Sequence, residues 1–138
     1  MTTQYWLVKQ EPESYAWSTF VQDRQTTWDG VRNFQARNNL QQMKRGDEVL
    51  FYASMDPRQV MGIAQVAKTA FPDPTAEPGE SWVAVTLKAV RPLPHPVTLT
   101  QIKADPALST IALIRHSRLS VMPLTRAEFQ HIVRLGGG

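Results

Sequence analysis

TWDGVRNFQARNNLQQMKRGD, residues Thr27–Asp47, is the stretch on which the reading of this chain turns. Aromatic, acidic, amide and cationic side chains crowd into it, a mixture that plain surface decoration rarely needs. Trp28 opens the stretch, and the spacing predicts a helix from about Phe34. Asn33 suits the cap, because a short side-chain oxygen accepts from the first free backbone N–H groups. Ala36, Leu40 and Met43 recur at i, i+4 and i+7 and should face a core. Asn38 falls opposite that stripe and Arg37 at its border. Lys44 and Arg45 are expected in the last turn, where cations complement the helix dipole. Gly46 suits the left-handed position that ends a helix.

Outward from this stretch, strand and turn signals alternate. Tyr5-Trp6-Leu7-Val8-Lys9 reads as a first strand, ended by Pro12, which has no N–H for a ladder. Ser14–Arg24 reads as a short helix with Trp17, Phe20 and Val21 inward. Asp47–Ser54 reads as a strand, with Val49, Phe51 and Ala53 on one face and Leu50 and Tyr52 on the other. A turn at Met55–Arg58 leads into the second strand of a hairpin, Gln59–Phe71, with a bulge at Gly62. Pro72–Glu80 reads as an exposed loop. Trp82–Val90 is a further strand, and Pro92, Pro94 and Pro96 stiffen the passage beyond it. Leu99 and Ile102 mark a short helix capped by Thr98, and Ala107–His116 a helical turn or irregular segment. Arg118–Leu124 is a last strand broken by Pro123. Thr125 and Glu128 form a capping box, with Leu124 and Phe129 as its staple. The final helix runs to about Arg134, and the three terminal glycines fray. About five strands and about four short helices predict an α+β domain with a mixed, mainly antiparallel sheet. A small curled sheet or barrel with helices at its ends is the simplest way to remove exposed edges.

A length of 138 residues predicts one domain over 1–138. The apolar fraction of 42% suffices for an ordinary core. No run of ~18 apolar residues predicts a membrane span, and the N-terminus lacks the pattern of a secretory signal. With no cysteine, disulfides and thiolate chemistry are excluded, which fits a reducing cytoplasm. The formal charge of +3 permits a polyanionic partner without demanding one. On charge alone an ordinary basic soluble protein is the simpler reading.

Several chemistries are missing. No Gly-rich phosphate loop is present. His95, His116 and His131 lack the close pairing of a zinc helix, and His116-Ser117 is an adjacent pair rather than a triad. Glu11 and Glu13 flank a proline and make no convincing acid–base pair. No metal or cofactor is expected. What remains is three clusters: Trp6, Lys9, Gln10 and Glu11; Trp28, Asn33, Arg37 and Asn38; and Tyr52 with Ser54 beside Arg118 with Ser120. Each joins planar surface to fixed hydrogen-bond groups, which is what a flipped base needs. Nearby cations suit the flanking phosphates. The competing reading is equally open: Trp6, Trp28 and Tyr52 fill the core, Asn33 and Asn38 cap or meet solvent, and Arg37 is a surface cation.

Residues 28–54, WDGVRNFQARNNLQQMKRGDEVLFYAS, resemble the central motif of the EVE-domain family. YWLVKQEP (5–12) resembles its opening motif and RLSVMPLTRAEF (118–129) its closing one. The resemblance runs from about Tyr5 to Val133, with the motifs in order. It implies a PUA-like small mixed barrel, similar to the YTH domains that read methylated adenine in RNA. It also implies a non-enzymatic reader of a modified base, with methylated or hydroxymethylated cytosine in DNA the leading ligand class. DNA or RNA would be the partner, bound by a monomer with no membrane association. Carried over by position, the ligand-binding residues are Trp6, Lys9, Gln10, Glu11, Trp28, Asn33, Arg37, Asn38, Tyr52, Ser54, Arg118 and Ser120. Gln10 stands where the family's K-S-E-P motif has serine, and Ala53 where its Y-H-S has histidine. In the resulting expectation Trp28 and Tyr52 bound the base pocket. Asn33 and the backbone near Lys9 and Ser120 address the base edge, and Arg37 and Arg118 the phosphates. The alternatives are an RNA, nucleotide or small-molecule binder on the same scaffold, and a nucleic-acid-modifying enzyme.

Overall fold

The computed structural model describes residues 2–138. The elements, in chain order, are β1 (Tyr5–Gln10), α1 (Trp17–Asp23), β2 (Gln25–Trp28), α2 (Phe34–Gln42), β3 (Glu48–Ala53), β4 (Gln59–Pro72), β5 (Val83–Thr98), α3 (Leu99–Ala104), α4 (Ala112–Arg115), β6 (Val121–Leu124) and α5 (Arg126–Leu135). A single 3₁₀ turn at Pro106–Leu108 separates α3 from α4. The strands form one six-stranded sheet in the order β2-β5-β4-β3-β1-β6. Only β1 and β3 run parallel; the other neighbours are antiparallel. The α+β class and the mixed sheet are as the sequence predicts. The barrel is looser than expected, because β2 and β6 are open edges and do not pair with each other. Helix α2 packs on β6 near one edge and on β4 and β5 toward the other, so the sheet curls around it.

The central stretch folds much as read. Asn33 Oδ1 accepts the Ala36 N–H at 2.9 Å, and Ala36, Leu40 and Met43 are buried. The helix stops two residues early, however. Met43 takes an extended conformation, so Lys44 and Arg45 lie outside the last turn. Asp47 causes this. Its buried carboxylate accepts N–H groups from Lys44 at 2.9 Å and Gln4 at 3.0 Å, and the Trp6 indole N–H at 3.0 Å. Gly46, at φ 93°, turns the chain between Lys44 and Asp47 rather than capping α2.

Further differences follow from local chemistry. β2 is an additional strand: Gln25–Trp28 pairs with Lys88–Val85, and only its shortness hides its Thr-Thr-Trp composition. Val21 faces solvent, while Trp17 and Phe20 point inward. β5 continues through Pro92, Pro94 and Pro96 to Thr98. Pro92 pairs with Gly62, and from there to Val97 the strand loops out opposite Met61 alone, so Pro94 and Pro96 forfeit no ladder bond there. β6 begins at Val121, and Pro123 is tolerated within it because β6 is an edge. The Pro72–Glu80 loop is exposed except for Asp73, which is buried. The bulge near Gly62 is present, with Met61 the extra residue. Both the Thr125–Glu128 capping box and the Thr98 cap form, the latter as a box with Gln101.

Candidate nucleic-acid interface

Lys9 lies opposite Tyr52 in the parallel β1–β3 ladder, and Gln10 opposite Ala53. Alternation along a strand sends Lys9 and Tyr52 to one face of the sheet and Trp6, Val8 and Phe51 to the other. On the Lys9 face, a cavity of about 340 Å³ is lined by Lys9, Tyr52, Ser54, Arg58, Leu99, Leu113 and Ser117. Four chain segments meet there. β1 and β3 supply the floor. The turn after β3 supplies Arg58, whose carbonyl accepts the Leu99 N–H at 2.9 Å and so fixes the start of α3. α4 supplies buried Leu113. The loop after α4 is held to β1 twice by one residue: the Lys9 N–H donates to the Ser120 carbonyl at 2.9 Å, and Lys9 Nζ donates to the Ser117 carbonyl at 2.7 Å.

The cavity carries positive charge with no counter-charge in contact. Among the described residues, the ion pairs are Arg32–Asp73 and His131–Asp105; Lys9, Arg58 and Arg118 have no carboxylate within 4.0 Å. Burial lowers the Lys9 pKa below the usual lysine range, and the nearby Arg58 guanidinium lowers it further. Burial raises the Tyr52 phenol, with Arg58 opposing. Lys9 Nζ stands 6.0 Å from the Tyr52 ring centre, at the outer limit of a cation–π contact. The arrangement offers an aromatic face, leucine walls, serine hydroxyls and an ammonium donor. Two shallower hollows adjoin it. One, of about 650 Å³, shares Arg58 and Leu99 and adds Lys103. The other, of about 320 Å³, shares Ser117 and adds Asn33, Gln35, His116 and Arg118. Together they form a trough with the cavity at its centre.

The twelve residues anticipated from the sequence do not all gather here. Lys9, Tyr52 and Ser54 line the cavity. Ser120 holds Lys9 through its carbonyl, and the Gln10 carbonyl holds the Ser54 N–H at 3.0 Å. Arg118 and Asn33 line the adjoining hollow. Trp6 is a departure: its indole N–H is given to Asp47, and it borders a different hollow with the N-terminal residues. Trp28 is another. It is 4% exposed and packs against Phe20 and Phe51, with ring centres 6.4 and 5.7 Å away. Phe51 and Tyr52 point to opposite faces of β3, so Trp28 belongs to the core rather than the cavity wall. Glu11 is exposed, and its carbonyl accepts the Ser14 and Tyr15 N–H groups in a turn. Asn38 Oδ1 accepts from Arg37, whose other nitrogen donates to Ser81 Oγ at 2.7 Å. Sequence reasoning missed Arg58, Leu99, Leu113 and Ser117 as cavity residues. Arg58 alone left a signal, a cation in the turn that follows the Tyr52–Ser54 strand end.

A family model described as the EVE domain matches residues 4–135. The chain belongs to the EVE-domain family. Thymocyte nuclear protein 1 of Homo sapiens is 33% identical to this EVE domain over 165 aligned positions, covering 95% of this chain and 73% of the human protein. Protein Atu2648 of Agrobacterium tumefaciens has a crystal structure that superposes with a TM-score of 0.94 at 41% identity, covering 98% of this chain and 94% of that one. A crystal structure of human THYN1 in complex with 5-methylcytosine-containing DNA superposes with a TM-score of 0.85 at 31% identity, covering 99% of each chain. A YTH domain of Zygosaccharomyces rouxii, at 13% identity and a TM-score of 0.62, shares the fold alone. Among the described residues no helix is long and apolar enough to cross a membrane.

Proposed function

We propose that this EVE domain is a binding module that takes a modified cytosine, flipped out of a DNA or RNA strand, into the Lys9–Tyr52 cavity. One observation carries the reading: a hollow of about 340 Å³ joins the Tyr52 ring to a half-buried lysine without a carboxylate partner. A flipped base requires a flat neighbour and a few directed polar groups. Lys9 Nζ has three N–H donors and gives one to Ser117; the others suit the acceptor edge of a cytosine, O2 and N3. Ser54 and Ser117 answer its amino side. Leu99 and Leu113 supply the apolar wall that a 5-methyl group favours. Arg58, Lys103 and Arg118 flank the cavity along the trough and suit the phosphates. Asn33 lines the outer hollow of the trough, Arg37 and Asn38 belong to the slope beside it, and Trp6 and Trp28 to its support. Binding is favoured over catalysis because the neighbours of Lys9 are a carbonyl and an aromatic ring rather than an acid–base partner. The solved human THYN1 complex with 5-methylcytosine-containing DNA supports the ligand class.

The test is a fluorescence-anisotropy titration with matched DNA and RNA oligonucleotides. They carry plain, methylated or hydroxymethylated cytosine, or methylated adenine. The wild type is expected to prefer one modified-cytosine strand. Lys9→Gln is expected to reduce that preference about tenfold or more, the scale of a lost charged hydrogen bond, and to lower the thermal midpoint only by the loss of its bond to the Ser117 carbonyl. Equal affinity of the wild type for every member of the panel would sink the reading.

A further inference from the structure

We propose that the exposed Phe34–Trp82 pair is a second nucleic-acid contact, a stacking platform for an unpaired base of the strand that fills the Lys9–Tyr52 cavity. The choice of strand rests on the cavity reading, but the residues are separate. Phe34, the first residue of α2, is 64% exposed, the most of any large apolar side chain among the described residues. A helix gains nothing for its own core from such a residue. The ring lies against Trp82, with centres 5.1 Å apart and planes 25° from parallel. Arginine stands at each end. The Arg37 guanidinium is 5.0 Å from the Phe34 ring centre, and that of Arg32 is 5.5 Å from the Trp82 ring.

The platform is fixed in advance. Asp73 accepts from the Gly30 N–H at 2.8 Å, from Arg32 at 3.0 Å and from the Thr75 hydroxyl at 2.6 Å. Those bonds tie the loop before Trp82 to the loop before Phe34. Arg32 also donates to Thr75 Oγ at 3.0 Å, and Arg37 to Ser81 Oγ at 2.7 Å. A surface held this way sacrifices little conformational freedom when a ligand arrives. Charge and continuity select the ligand class. Asp73 is consumed internally, the Glu80 carboxylate turns back onto the Glu77 N–H, and the Arg37 guanidinium has only neutral partners. Asn33 and Gln35, the neighbours of Phe34, line the hollow that shares Ser117 with the cavity. A strand leaving the cavity past Ser117 and Arg118 therefore meets Phe34. Stacking on an aromatic ring tolerates any base, so the platform adds affinity rather than selectivity.

The experiment titrates single-stranded oligonucleotides, plain and with one methylated cytosine, extended by several nucleotides on both sides. Anisotropy and tryptophan emission are read together. Trp6, Trp17 and Trp28 are buried and Trp82 is half-exposed, so quenching by a stacked base arises mainly at the platform. Phe34→Ala and Phe34→Leu are each expected to weaken binding about tenfold to plain and methylated strands alike. The ratio between strands and the thermal midpoint stay unchanged. Trp82→Phe is expected to lose the quenching and, with a smaller ring beneath Phe34, to weaken binding less than the Phe34 variants do. Phe34 variants that bind like the wild type, or quenching that survives in Trp82→Phe, overturn the platform. The two readings fail separately. Phe34-dependent binding without preference for the methylated strand keeps the platform and removes the cavity reading. Preference without Phe34 dependence removes the platform alone. Binding to no oligonucleotide removes both and leaves a protein surface as the occupant.

Discussion

Asp73 has no exposed side-chain surface, yet it is ionised. Burial raises its pKa, but hydrogen bonds from Thr75, Gly30 and Arg32 outweigh burial and hold the carboxyl at about 2, against an ordinary 3.8. A carboxyl with a depressed pKa stabilises the fold fully above its unfolded value. That contribution is lost as pH falls through the folded value. The contribution is about 2 kcal/mol. Thermal midpoints of the wild type and Asp73→Asn are therefore expected to differ above about pH 4 and to converge toward about pH 2. A gap that stays constant across that window would contradict the assignment. Residues whose partners are local were legible in the sequence: the Asn33, Thr98 and Thr125 caps all lie three positions from the N–H they satisfy. Asp73 and Asp47 were not legible as anchors, because two donors to each come from stretches about 40 positions away. Gln10 and Ala53, the two departures from the family motifs, turn out to be register partners. The Gln10 side-chain carbonyl accepts the Glu11 N–H at 3.1 Å.

At the scale of elements, α1 and β4 meet at a point where only glycine fits. A Cβ on Gly62 would lie 2.3 Å from Trp17 Cζ2 and 2.8 Å from the Arg91 carbonyl oxygen. One obstacle is a packed indole and the other is backbone, so neither yields cheaply. Gly62→Ala is expected to destabilise the fold by about 2–3 kcal/mol in urea unfolding, the upper range for overpacking. A loss below about 0.5 kcal/mol would mean that α1 shifts freely on the sheet. Elements with strong periodicity were legible: β1, β3 and β4 lie within a residue of their expected bounds. The strand through Pro92–Pro96 and the short β2 were not, since composition speaks against the first and length hides the second. The candidate cavity was legible only in its floor. Lys9 and Tyr52 belong to long, patterned strands, whereas Leu99, Leu113 and Ser117 arrive on short helices and a loop whose placement is decided by tertiary contacts.

Across the whole molecule the net charge is only +3, so attraction to a polyanion must come from how charge is placed. Arg58, Lys103 and Arg118 border the trough, while Asp56 is its one acidic lining residue. Meeting about three phosphates of a single strand would give a slope of log K against log salt of about −2. A titration series between low and moderate salt checks this; a slope near zero would point to an uncharged ligand. The open sheet has a further consequence. A free strand edge is a template on which another copy of the chain can add itself. Along β6 that edge is only four residues long, and one of them is Pro123, which has no N–H to offer. The residue that first looks like a break in a strand thus serves as a guard. A second copy reaching that edge would find no N–H at Pro123, which disfavours growth, copy upon copy, into a fibre.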